Sequence, residues 1–117
     1  MPIILQPPTD CISDVSQNAI FNFVVKKSHI PVKVEVQKSD KLLKIDSQKY
    51  VISHNDSDNS FEFSTTNCSV EDAGLYNFVI SNIFGKITSS ARLQIRCNIF
   101  LSLYLLFYYF YLFNLFF

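Results

Sequence analysis

The residues able to do chemistry are few and widely spaced. Asp56-x-Asp58-x-Ser60 places two carboxylates and a hydroxyl as at the opening of a calcium loop. Such a loop also needs glycine at its sixth position and a bidentate glutamate at its twelfth; here those positions hold Phe61 and Asn67. The segment is therefore expected to be a solvated turn, and no metal is assigned. His29 and His54 fall in separate polar stretches, each expected to be a turn, and neither has a serine or cysteine nucleophile in a recognisable setting beside it. No glycine-rich phosphate loop is present. Neither catalysis nor a cofactor is expected.

The three cysteines, Cys11, Cys68 and Cys97, are odd in number and far apart, which fits neither a disulfide framework nor a zinc site. They read as small buried or edge hydrophobes in a reducing compartment. Asn55-Asp56-Ser57 and Asn67-Cys68-Ser69 match the N-glycosylation tripeptide. The apolar start Ile3-Ile4-Leu5 is closed by Pro7, Pro8 and Asp10, too soon for a signal peptide, so both tripeptides are taken as chance matches.

The elements that must carry these residues are strands. The chain has 117 residues, enough for one domain and an extra segment, and a formal net charge of zero. No basic face is implied, and nucleic acid is not an expected partner. Val32 to Lys38 alternates cleanly, with Val32, Val34 and Val36 on one face and Lys33, Glu35 and Gln37 on the other. Asn18 to Lys26 is rich in Ile, Phe and Val; Ala19, Phe21 and Phe23 would face a core, with Ile20 and Asn22 outward. Further strands are expected at 48–52, with a polar turn at 54–60, and at 61–66, where Phe61, Phe63 and Thr65 point inward. Two more follow at 74–81, with Tyr76, Phe78 and Ile80 inward, and at 86–96, with Ala91, Leu93 and Ile95 inward. Residues 2–16 are extended, and Pro2, Pro7 and Pro8 confine them to a broken edge strand. Short strands separated by turn signals argue for two packed sheets.

One stretch is more specific. Val70-Glu71-Asp72-Ala73-Gly74-Leu75-Tyr76-Asn77-Phe78, followed by Asn82-x-x-Gly85, resembles the E–F corner, strand F and F–G turn of an immunoglobulin domain of the I-set type, as found in giant muscle proteins such as twitchin, titin and obscurin. The resemblance covers about residues 2–96. It implies an all-β, immunoglobulin-like antiparallel sandwich, with Asp72, Gly74 and Tyr76 at the corner, Asn82 and Gly85 in the turn, and Lys49 placed to pair with Asp72. Where the family has two bridge cysteines and a tryptophan, this chain has Phe23, Phe78 and Val36. Two small residues have become large and the largest small, so core volume is expected to be roughly kept. Losing such a disulfide costs about 2–5 kcal/mol, which burial of two phenylalanines at about 1.5–3 kcal/mol each partly offsets. The implied function is that of a non-enzymatic spacer and docking module, a piece of a sarcomeric filament protein, with other proteins as partners: neighbouring immunoglobulin or fibronectin-type modules, or filament components. The alternative is a membrane-anchored adhesion or receptor domain.

That alternative rests on the end of the chain. Residues 98–117 carry no charge and consist almost wholly of Phe, Tyr, Leu, Ile and Asn. Two origins fit. One is a hydrophobic helix of about 20 residues, enough to span a bilayer core, which with Lys86, Arg92 and Arg96 before it would anchor the domain to a membrane from the cytosolic side. The other is translation past an exon end into AT-rich intron, since all these residues have codons of A and T alone; the chain is then a cytoplasmic, sarcomeric fragment. The division expected is a domain at 1–96 and a separate hydrophobic segment at 97–117.

Overall fold

The computed structural model describes residues 1–97, 108 and 110–114. Nine strands are present among them: β1 (Ile4–Gln6), β2 (Cys11–Asp14), β3 (Ala19–Val25), β4 (Lys33–Lys38), β5 (Lys41–Leu42), β6 (Tyr50–Asn55), β7 (Ser60–Thr65), β8 (Gly74–Asn82) and β9 (Gly85–Arg96). They form two sheets, one ordered β1-β3-β7-β6 and the other β2-β9-β8-β4-β5. A single 3-10 turn, Val70–Asp72, joins β7 to β8.

The period-2 patterns set the faces. In β3 buried and exposed residues alternate through Ala19, Phe21 and Phe23, and in β8 Tyr76, Phe78 and Ile80 are buried. Facing β7 contributes Phe61, Phe63 and Thr65, and β9 contributes Ala91 and Leu93. The register places Phe21 opposite Phe63 and Phe23 opposite Phe61 in one sheet, and Val36 opposite Phe78 in the other. Such cross-strand aromatic pairs contribute about 0.5–1.5 kcal/mol each beyond area burial.

Three features differ from the expectation. The pairing is not wholly antiparallel: β2 runs parallel to β9, with Cys11 opposite Leu93 and Asp14 opposite Arg96. The reason is the break at Pro7-Pro8. Proline cannot donate to a ladder, so the chain leaves β3 after Gln6 and crosses to the edge of the second sheet. The fourth strand in the order of the sequence reading is also longer than expected. His54 and Asn55, assigned to a turn, are the last residues of β6 and pair with Phe61 and Ser60. Both are exposed, so the alternation that marks a half-buried strand is missing there.

The third concerns the hydrophobic end. The run 98–117, read either as a membrane-spanning helix or as translated intron, lies mostly outside the described residues; positions 108 and 110–114 are helical. Among the described residues no helix is long and apolar enough to cross a membrane.

Candidate functional site

Two places hold the residues singled out by sequence: the middle of the sandwich and the corner between β7 and β8. In the middle, Phe23, Val36 and Phe78 are all fully buried. Phe23 on one sheet meets Phe78 on the other with ring centroids 5.4 Å apart. Phe78 also meets Phe21 at 5.5 Å and Phe63 at 5.6 Å, the latter edge-on at 74°. Phe23 stacks on Phe61 at 5.3 Å. The aromatic cluster is thus wider than the expected trio, and the repeated Phe-x-Phe of β3 and β7 is the signal for it. Cys11, Cys68 and Cys97 are all free thiols. Cys68 is buried, and burial, with the charge of Asp72 adding to it, raises its thiol above the ordinary range.

The corner is a polar network around Asp72. Its Oδ2 accepts the Ser69 N–H at 2.8 Å and the Lys49 ammonium at 2.7 Å. Lys49 also donates to the carbonyls of Thr66 at 2.8 Å and Asn67 at 3.2 Å, so its three protons match three acceptors. The Tyr76 hydroxyl donates to the Asp72 carbonyl at 2.6 Å. Lys38 reaches from β4 to the Glu71 carbonyl and lies 5.9 Å from the centre of the Tyr76 ring. Nothing in the sequence pattern marked Lys38 for this contact.

Charge follows from that geometry. Burial raises the Asp72 carboxyl, but the Lys49 hydrogen bond, the Ser69 N–H and the charges of Lys49 and Lys38 outweigh it and hold the group below the usual carboxylate range. Burial, then the nearby Asp72 charge, pushes the Tyr76 phenol well above its ordinary value. Both corner groups therefore keep one protonation state near neutrality and are poorly suited to proton transfer.

Gly74 follows the corner at φ +145°, a conformation L side chains rarely adopt, and a Cβ there would lie 3.3 Å from the Lys38 side chain. Gly85 has φ +153° and closes the β8–β9 hairpin, in which Asn82 Oδ1 accepts the Phe84 N–H at 2.9 Å. Around this corner, strand and hairpin the family model of the immunoglobulin I-set domain matches residues 2–95. The chain belongs to the immunoglobulin I-set family. Solved structures of muscle-protein domains superpose on it. Titin domain M4, in its trigonal form, gives a TM-score of 0.72 at 20% identity, over 81% of this chain and 95% of that one. The complex of titin M10 with the obscurin-like 1 immunoglobulin domain gives 0.74 at 20% identity, over 82% and 94%. The C. elegans twitchin kinase region (Fn31-NL-kin-CRD-Ig26) gives 0.74 at 24% identity; 81% of this chain is covered, but it spans only 16% of that one. At these identities the likeness is one of fold alone. No curated protein matches the chain.

The remaining sequence candidates fall elsewhere on this I-set domain. Among the described residues no group of three or more His, Cys, Asp or Glu side chains could hold a metal. In the Asp56–Ser60 segment, Asn55 Oδ1 accepts the Ser57 N–H at 3.0 Å and Asp58 Oδ1 the Ser60 N–H at 3.0 Å, so its side chains fold back on their own turn. His29 and His54, expected in unrelated turns, line one cleft between the β3–β4 loop and the end of β6. Sequence reasoning treated Ile83 and Phe84 only as turn filler; at the tip of the β8–β9 hairpin they are 83% and 67% exposed. Two large apolar residues in a two-residue turn were the available signal. The outward residues Glu35 and Gln37 pair across β4 and β8 with Val79 and Asn77, which makes Lys33, Glu35, Gln37, Leu75, Asn77 and Val79 one continuous face.

Proposed function

We propose that this chain works as a non-enzymatic structural and protein–protein interaction module, part of a sarcomeric filament protein of the titin and twitchin kind. The module occupies residues 1–96, and residues 97–117 lie outside it. The observation that carries the reading is the centre of the I-set sandwich, where Phe23 and Phe78 join the sheets by ring contact at 5.4 Å beside Val36. A fold closed in this way does not depend on an oxidising compartment. Asp72, Gly74, Tyr76 and Lys49, with Asn82 and Gly85, act as structural determinants of corner and hairpin rather than as a ligand site. Contacts with filament partners are made by the continuous β4–β8 face and by the exposed hairpin tip, Ile83 and Phe84. Titin M10 is solved in complex with an immunoglobulin domain of obscurin-like 1, which supports a partner of the same general class.

The test is localisation with proximity cross-linking of the full chain in striated muscle cells. A periodic pattern and recovery of filament proteins are expected. Even cytosolic staining overturns the sarcomeric assignment. Recovery with membranes after alkaline extraction overturns it in favour of an anchored adhesion or receptor domain.

A further inference from the structure

Strand β9 has 12 residues, and its two sides are covered unevenly. β8 lines one side from Gly85 to Leu93 in an unbroken antiparallel register. β2 has 4 residues and lines the other side only from Leu93 to Arg96. Only Ile83 and Phe84 separate β8 from β9, so the closing pair Asn82 and Gly85 exchanges hydrogen bonds, and every second pair after it does the same. Gly85, Ile87, Ser89 and Ala91 therefore turn their backbone groups to β8. Lys86, Thr88, Ser90 and Arg92 turn theirs away. Arg92 bears out the parity: its N–H points to the open side, where Asp10 Oδ1 accepts it at 2.8 Å. Among the described residues the N–H and C=O groups of Lys86, Thr88 and Ser90 have no hydrogen-bond partner.

Other outer strands offer less. β5 has 2 residues, and β1 has 3 with an irregular register ahead of Pro7 and Pro8. On β6 the Tyr50 N–H is bonded to Ser47 Oγ and the Tyr50 carbonyl accepts the Ser47 N–H, so a turn closes that edge at its start. An open run of ladder groups is a template for one more strand.

The side chains decide which strand it takes. Lys86, Thr88, Ser90 and Arg92 are exposed on the outer face, while Ile87 and Ser89 are half-buried and Ala91 is buried on the inner one. Among the described residues neither Lys86 nor Arg92 forms an ion pair. A second copy is a poor occupant. Two-fold antiparallel pairing of this stretch sets Lys86 of one chain opposite or diagonal to Arg92 of the other, twice over, and like charges so placed are destabilising. We propose that the Lys86–Arg92 edge of β9 takes up an extended segment of another protein as an added strand, with carboxylates on the segment's outer face and small apolar side chains on its inner face. Backbone groups supply the hydrogen bonds, and the two cations turn away a like strand and select an opposite one. This edge is separate from the hairpin tip and from the β4–β8 face, and it does not depend on the sarcomeric assignment.

The test is amide NMR of the full chain titrated with the peptide acetyl-Glu-Val-Thr-Val-Thr-Val-Glu-amide, whose glutamates have the spacing of Lys86 and Arg92. The amide signals of Lys86, Thr88 and Ser90 are expected to shift and to gain protection from hydrogen exchange, while Ile87 and Ser89, already bonded to β8, keep theirs. A peptide with lysines in place of the glutamates should bind about tenfold more weakly. Lys86→Glu combined with Arg92→Glu should reverse that preference. Thr88→Pro removes an N–H that β8 does not use, so binding should be lost with little change in the urea midpoint of the free domain. If Thr88→Pro does not fold, the charge reversal alone decides. Shifts centred on β6 instead, equal affinity for the two peptides, or no shift at about 1 mM peptide overturn the proposal. So does a dimer of the full chain in sedimentation that Thr88→Pro abolishes, which would give the edge to a second copy.

Discussion

Tyr76 and Phe78 stand two residues apart on β8, point to the same side and are equally buried, yet they belong to regions held by different forces. Around Phe78 everything is apolar: Phe21, Phe23, Phe63 and Val36. Around the Tyr76 hydroxyl lie Asp72, Lys49 and Ser69, joined by directed hydrogen bonds. The apolar region needs volume and a water-free interior, so a disulfide and an indole can be exchanged there for two phenyl rings and an isopropyl group. The corner needs particular donors opposite particular acceptors. Its residue types cannot be exchanged by size alone.

Substitutions can break this contrast in order of size. Phe78→Ala removes the ring on which three others converge and is expected to cost about 3–5 kcal/mol. Against a typical total stability of about 5–15 kcal/mol that is a large share, read as a large fall in the urea midpoint followed by near-ultraviolet circular dichroism. A native spectrum with a cooperative urea transition at wild-type position would show that the aromatic centre does not carry the fold. Asp72→Ala leaves the Lys49 ammonium and the Ser69 N–H without their shared acceptor and should cost about 1–3 kcal/mol.

The same residue separates the regions by pH. Because the Asp72 carboxyl is held below its ordinary range, its contribution is present above that range and lost as pH falls through its folded value. Acid titration of stability should therefore flatten in Asp72→Asn, whereas Phe23→Leu should leave the acid response unchanged. Tyr76→Phe removes one hydroxyl bond to the Asp72 carbonyl and is expected to cost about 1 kcal/mol, seen as a shift in the urea midpoint at constant slope. The smallest change carries the opposite sign. Thr65 is fully buried and its hydroxyl has no hydrogen-bond partner, so Thr65→Val should stabilise by up to about 1 kcal/mol in the same assay. A loss there would mean that the hydroxyl belongs to the corner network after all.

The apolar strands were legible because the side-chain period of a strand is two. Ala19, Phe21 and Phe23, or Tyr76, Phe78 and Ile80, could be assigned to one face with no knowledge of what lay opposite. The corner was legible because Asp-x-Gly-x-Tyr joins a turn to a strand at fixed spacing. What stayed hidden depends on chain segments meeting from far apart. The parallel partner of β2 is more than seventy residues away, and Lys38 meets the Glu71 carbonyl only once β4 and β8 are in register. His54 was hidden for a local reason: both neighbours are polar and exposed, so nothing distinguished the end of a strand from a turn. Its contacts with Asp56 and Asn59, and the cleft it shares with His29, appear only in three dimensions.

The parallel ladder of β2 on β9 also decides how the domain answers a pull. Both strands run the same way, and the Val15 N–H extends their contact to the Arg96 carbonyl at 3.1 Å. Tension drawing the two flanks of the domain apart drags β2 and β9 past each other along their lengths. The cross-links between them lie across that direction and must yield together rather than one by one, so once the shorter β1–β3 pairing nearer the start of the chain has given way, this seam and not the aromatic centre carries the load.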